Sequence, residues 1–209
     1  MRIEPNSITS TIQDYATTLF GSAQRLDAML LEYFSRVHPW MPFVSRQRFY
    51  ERLSGLSSTS DHSFVFLTCG MHLILSVPPR VEVGSARSTN YMEIKRLLAL
   101  AESQSPPVID LVQCRLLVAL YEINHGATDE AYLSLGRCAK AGIVLGLDHM
   151  QRRKDDFQHR LWVQMEEERR TWWAITILDR CGDCPVTYRR LANGVQGFCD
   201  CNDPTGRPL

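Results

Sequence analysis

The sequence has no excess of charge of either sign, because its 209 residues include 23 Lys and Arg against 23 Asp and Glu. A protein that binds nucleic acid without another module usually has a strongly basic surface patch and a high isoelectric point. Most of that affinity comes from neutralising phosphates with Lys and Arg. The balanced charge therefore argues against specific DNA binding by this chain alone.

Long hydrophobic runs are also absent. A membrane-spanning helix needs roughly eighteen or more consecutive apolar residues, and no such run occurs. Met1 is followed by polar residues rather than by a charged segment and an apolar stretch, so no secretory signal is expected. The sequence thus predicts no membrane partner.

The sequence contains none of the common catalytic or nucleotide-binding motifs. There is no Gly-x-Ser-x-Gly elbow, no phosphate-binding loop and no Gly-x-Gly-x-x-Gly turn. The histidines are scattered and form no metal-binding pair at helical spacing: His38, His62, His72, His125, His149 and His159. We therefore predict a protein that is not an enzyme, with no catalytic residues and no bound cofactor of its own.

Cysteine is present in an odd number, seven, and falls into two groups. Cys69, Cys114 and Cys138 stand singly in apolar segments, which is typical of reduced core residues in an intracellular protein. The C-terminal group could supply four thiolates to zinc: Cys181, Cys184, Cys199 and Cys201. Its second pair is Cys-x-Cys and no histidine lies nearby, so we favour unliganded thiols. A zinc-stabilised interaction module stays open as an alternative.

Helical periodicity dominates what the sequence does contain. About seven segments between residues 22 and 180 repeat apolar residues at three- and four-residue steps, with short loops between them. Several are too apolar to stand alone and must pack together. We predict an all-α domain over 22–180, preceded by a loose polar arm at 1–21 and followed by an irregular tail at 181–209.

Residues 166–180, which read EEERRTWWAITILDR, are the most distinctive segment. Glu166 lies three and four residues before Arg169 and Arg170, so these side chains can pair on one surface. The following residues are apolar all round the helix, which is typical of a buried helix. We expect Trp172 and Trp173 to lie in the core. We also expect Asp179 to be buried with a fixed partner.

These residues resemble the middle homology region of fungal zinc-cluster transcription factors. The resemblance covers roughly residues 30–180 and also includes Tyr33-Phe34, His38-Pro39 and Tyr121-Glu122. It implies a helical regulatory domain in the nucleus that regulates DNA-templated transcription. Its structural and regulatory core would contain Arg169, Arg170, Trp172, Trp173, Asp179 and Arg180.

The resemblance also implies partners. They would be proteins of the transcription machinery or a second copy of the chain. The family's six-cysteine zinc cluster has no counterpart in these 209 residues, so zinc and DNA contact would belong only to a missing N-terminal module. A small helical enzyme with a pocket near Trp172 and Asp179 is the alternative from another class.

The tail departs from the family pattern, because that region continues well beyond its Asp-Arg helix. Residues 182–196 show neither helical nor strand periodicity. Their codons are compatible, in order, with intron donor, branch and acceptor signals. We interpret this stretch as a candidate retained intron in a truncated domain.

Overall fold

The computed structural model describes residues 5–55, 61–76, 88–152 and 159–182. These ranges contain helices and no strands, so the predicted all-α class is confirmed. The helices are α1 (Pro5–Phe20), α2 (Ala23–Arg36), α3 (Arg46–Gly55), α4 (His62–Leu75), α5 (Thr89–Gln104), α6 (Ile109–Asn124), α7 (Thr128–Val144) and α8 (His159–Gly182). A 3₁₀-helix, Leu147–Arg152, lies between α7 and α8. No helix in these ranges has the length and apolar character needed to cross a membrane.

Helix α6 is the centre of the fold. Every side chain from Asp110 to Ile123 is buried, and the helix packs against α4, α5, α7 and α8. Gly70 permits the close approach of α4, since a Cβ there would lie 3.2 Å from the Cys114 Sγ atom. A helix surrounded on all sides can be apolar on every face, and α6 fills that role.

Helix α8 does not have the buried position that its apolar sequence predicted. Ala174, Ile175 and Leu178 face the core, whereas Trp173 is 46% exposed and Asp179 is exposed. The expected burial of Trp173 and Asp179 is therefore wrong. The reason is that α8 packs on the outside of α6 and α7, so only one of its sides can be covered.

The N-terminal segment forms a helix that its composition did not predict. Residues 1–21 were expected to be a loose arm, but Pro5–Phe20 form helix α1. The Ile12 side chain is completely buried, and α1 packs against α2, α4 and α5. A few apolar residues on one side suffice to dock a polar helix onto an existing core.

Helix α7 ends just before Gly146, which adopts a left-handed backbone conformation with φ of 72°. Among the small residues of α7, Gly142 has a clear packing role. A Cβ at Gly142 would lie 3.1 Å from the ring of Trp172, so this glycine lets the half-buried indole of α8 pack closely.

Candidate regulatory site on helix α8

Helix α8 carries the predicted acid-and-arginine segment on its solvent side. The Glu166 carboxylate accepts hydrogen bonds from the Nε and Nη2 atoms of Arg169 at 2.7 and 2.6 Å. It also accepts one from the Nε atom of Arg170 at 2.7 Å. The predicted pairing is therefore present. The hydrogen bonds from Arg169 are the main cause that lowers the pKa of Glu166 to about 2. Burial opposes this shift, and the bond from Arg170 adds to it.

The neighbouring acid, Glu167, points the other way and is only 7% exposed. Its Oε1 atom accepts a hydrogen bond from the backbone N–H of Ser45 at 2.9 Å. Its Oε2 atom pairs with the guanidinium of Arg48 on α3. Burial raises the pKa of Glu167 and outweighs the opposing effects of Ser45 and Arg48. Glu167 thus fastens α8 to the α2–α3 turn and to α3.

The amide of Gln113 on α6 completes this buried contact. Its Nε2 atom donates to the carbonyl of Phe43 at 2.9 Å and lies 3.1 Å from the hydroxyl oxygen of Thr171. The Thr171 hydroxyl in turn donates to the carbonyl of Glu167 at 2.8 Å. Polar groups buried in a helix interface must find such partners, and here they fix the position of α8. The sequence pattern alone did not indicate these roles of Glu167 and Gln113.

A second buried ionic cluster joins α3, α4 and α6. The guanidinium of Arg52 binds both carboxylate oxygens of Asp110, at 2.9 and 2.6 Å. The Ser63 hydroxyl lies 2.9 Å from the same carboxylate, and Asp61 pairs with Arg52 at 2.7 Å. The Arg52 guanidinium also lies over the ring of Phe64 at 4.5 Å. The Asp110 carboxylate is fully engaged in holding helices together.

Two further acids, the buried Glu122 and the partly exposed Glu102, have cationic partners. Glu122 is completely buried and accepts hydrogen bonds from Lys95 and from the hydroxyl of Tyr91, both at 2.7 Å. Glu102 binds the buried guanidinium of Arg115 through two bonds of 2.5 and 2.6 Å. Buried charges are tolerated when they are paired in this way. These pairs serve helix packing.

Two cavities stand out in the part of the chain that the structure describes. One of about 210 Å³ lies between α5, α6 and α7, and one of about 180 Å³ lies between the α2–α3 turn and α8. Sites for small organic ligands usually measure about 300–1,000 Å³. Neither cavity is lined by Trp172 or Asp179, where the enzyme alternative placed its pocket.

The six residues of the predicted core site do not form one cluster. Arg169, Arg170, Trp173, Asp179 and Arg180 are exposed along α8, and Trp172 is half-buried against α7. These side chains therefore form no buried network, and five of the six are accessible to solvent on α8. Helix α8 ends at Gly182, slightly beyond the predicted domain boundary at 180.

The three single cysteines lie in the core, as the sequence predicted. Cys69, Cys114 and Cys138 are free and buried, and burial raises the pKa of the Cys69 thiol to about 12. Such thiols are unreactive at neutral pH. Cys181 lies in the last turn of α8, but its side chain is outside the described residues, as are Cys184, Cys199, Cys201 and the candidate intron. Within the described ranges, no group of three or more His, Cys, Asp or Glu side chains is arranged to hold a metal ion.

Comparison with known proteins identifies the fold's family. Residues 30–182 match the model of the fungal specific transcription factor domain. Transcription factor BOA15 of Botryotinia fuckeliana is 29% identical over 150 residues, which are 69% of this chain and 80% of that protein. Transcription factor tazR of Aspergillus terreus is 28% identical over 154 residues. The tropolone cluster transcription factor tropK of Talaromyces stipitatus is 24% identical over 151 residues.

The chain corresponds to only part of the larger relatives. The match to tazR covers 71% of this chain but 24% of that protein, and the match to tropK covers 70% and 26%. No solved structure matches the chain. The family match extends from the middle of α2 to the end of α8 and includes α6 and every helix that packs against it. The chain therefore belongs to the family of fungal specific transcription factor domains, and it is a transcription-factor regulatory domain of the kind that its acid-arginine-tryptophan helix predicted.

Proposed function

We propose that this chain is a non-catalytic protein-contact domain that acts in the nucleus, where it regulates DNA-templated transcription. It needs no cofactor of its own, and DNA is reached through a separate DNA-binding module. The observation that carries the proposal is the exposure of large apolar side chains on the two outer helices. On α7 and α8 these are Tyr132, Leu133, Ile143, Val144, Trp162, Trp173 and Ile177.

Of the ten exposed large apolar side chains in the described residues, seven lie on α7 and α8, which pack against each other. Such a concentration is typical of surfaces that contact other proteins. The buried acids of the domain are paired with cations that hold helices together, which leaves no unpaired carboxylate for acid–base chemistry around Glu167 or Asp110. The small cavities favour contact through a surface over chemistry in a pocket. The names of the relatives, all transcription factors, support the same role.

The proposal is tested by fusing the whole chain to an unrelated DNA-binding domain upstream of a reporter gene in a fungal cell. We expect the fusion to change reporter output relative to the DNA-binding domain alone. A fluorescent fusion should accumulate in the nucleus when it is joined to the rest of a family protein. Reporter output equal to that of the DNA-binding domain alone, at matched protein level, would contradict the proposed function.

A further inference from the structure

The outward side of α7 carries two apolar patches with positive charge between them. Its residues, called here the α7 strip, are Tyr132, Leu133, Arg137, Lys140, Ile143 and Val144. Leu133 and Val144 are 66% and 72% exposed, and both lie on the side opposite the buried Leu135 and Cys138. Residues at three- and four-residue steps share one side of a helix, so the strip is continuous over about 18 Å.

The centre of the α7 strip is cationic. Arg137 and Lys140 are exposed, and neither forms a hydrogen bond or an ion pair with another residue that the structure describes. The two acids of α7, Asp129 and Glu130, lie in its first turn, N-terminal to the strip. An occupant must therefore offer apolar side chains at both ends and negative charge between them.

A second copy of the chain fits the α7 strip poorly. In an antiparallel pairing about the middle of the strip, Arg137 of one copy would face Lys140 of the other. In a parallel pairing, like residues would face each other. Both arrangements bring four cations together, and like charges across an interface oppose association. The charge pattern instead favours an acidic occupant.

We propose that the α7 strip binds an acidic amphipathic helix of a partner protein. An amphipathic helix docks by laying its apolar side against an apolar surface, with anchors spaced at helical steps. Its acids, three residues apart, would pair with Arg137 and Lys140. Its apolar ends would cover Tyr132 and Leu133 at one end and Ile143 and Val144 at the other. This inference deepens the protein-contact role proposed above and names the chemistry of the partner.

The test uses a fluorescently labelled helical peptide of about 18 residues, long enough to cover the strip with a turn to spare at each end. The peptide carries two Glu residues three apart at its centre and leucines toward both ends of the same side. Fluorescence anisotropy is measured as the full chain is added. We expect saturable binding that weakens as salt is raised. The double variant Arg137→Glu with Lys140→Glu should weaken it at least about tenfold.

Two comparisons separate docking from a nonspecific charge effect. A peptide with Lys in place of both Glu residues should bind the double variant better than it binds the parent chain. The control variant, Arg25→Glu with Arg180→Glu, makes the same change in net charge at two exposed arginines on other helices and should bind the original peptide like the parent. Circular dichroism verifies that all variants are folded.

The proposal is overturned if the acidic peptide binds the parent and the double variant equally. It is also overturned if sedimentation equilibrium shows a dimer of the chain that Leu133→Glu disrupts, because the strip would then be a self-association surface. The binding measurement needs no transcription, so it can succeed where the reporter assay fails, and the two proposals can be judged apart.

Discussion

Glu167 and Ser45 are 122 positions apart in the chain, and the carboxylate of Glu167 accepts the backbone N–H of Ser45 at 2.9 Å. With the ion pair to Arg48, this contact joins the last helix of the described structure to the turn that precedes α3. The adjacent acid, Glu166, pairs only with arginines on the surface of its own helix. The two neighbours therefore contribute very differently to stability.

Glu167→Ala should lower the free energy of unfolding by about 3–5 kcal/mol, because it leaves the partially buried Arg48 and the Ser45 N–H without their partner. The control is Glu166→Ala, which removes only exposed ion pairs and should cost about 0–1 kcal/mol. Urea unfolding followed by circular dichroism measures both. Equal losses for the two variants would mean that Glu167 does not fasten α8.

The pH dependence of stability should also report Glu167. Its pKa is raised in the folded state by burial, from an ordinary value of 4.5. The folded protein therefore binds this proton more tightly than the unfolded chain, and the contribution of Glu167 to stability falls as pH rises from about 4.5 through the folded pKa. Compared with Glu167→Gln, the parent should lose relative stability over that interval. A relative gain would contradict the assignment.

Two isoleucines on α8 provide a matched test of which side of the helix is covered. Ile175→Ala should cost about 2–5 kcal/mol, since the Ile175 side chain is buried and its removal leaves a cavity. Ile177→Ala removes the same atoms from an exposed position and should cost about 0.5 kcal/mol or less. Thermal or urea unfolding distinguishes them. A larger loss for Ile177 would place the wrong side of α8 against the core.

Two aspartates provide the corresponding test for charge. Asp110→Ala should lower the free energy of unfolding by about 1–3 kcal/mol, because it removes the two hydrogen bonds that Arg52 makes to this buried carboxylate and leaves Arg52 paired with Asp61 alone. Asp179→Ala should change it by no more than about 0.5 kcal/mol, since the Asp179 side chain is exposed. The measurement is denaturant unfolding at constant pH. A large loss of unfolding free energy in Asp179→Ala would indicate that Asp179 is buried, as the sequence suggested.

Specific DNA binding should be absent from the isolated chain. The formal net charge is zero, and the resemblance assigns DNA contact to a separate zinc-cluster module. A gel-shift assay at physiological salt with a pool of random duplexes should show no sequence-selective complex. Selective nanomolar binding by this chain alone would overturn the expectation.

The sequence alone determined the helical class and most of the helix boundaries. The segment Ile109–Asn124 and the helix stop at Gly126 follow from local periodicity and backbone preference, which act within a few residues. The order of motifs along the chain determined the family in the same way. The sequence also indicated the pairing of Glu166 with Arg169 and Arg170, because helical spacing alone brings them together.

Only the tertiary structure decided which sides of those helices are covered. Helix α1 looked like a polar arm until Ile12 was seen docked against its neighbours, and α8 looked buried until Trp173 and Asp179 were found at the surface. Glu166 and Glu167 are identical in type and adjacent in sequence, yet one is solvated and the other is enclosed by Ser45, Arg48 and Gln113. Burial depends on contacts between residues that lie tens to more than a hundred positions apart in the chain. Local periodicity carries no information about such contacts.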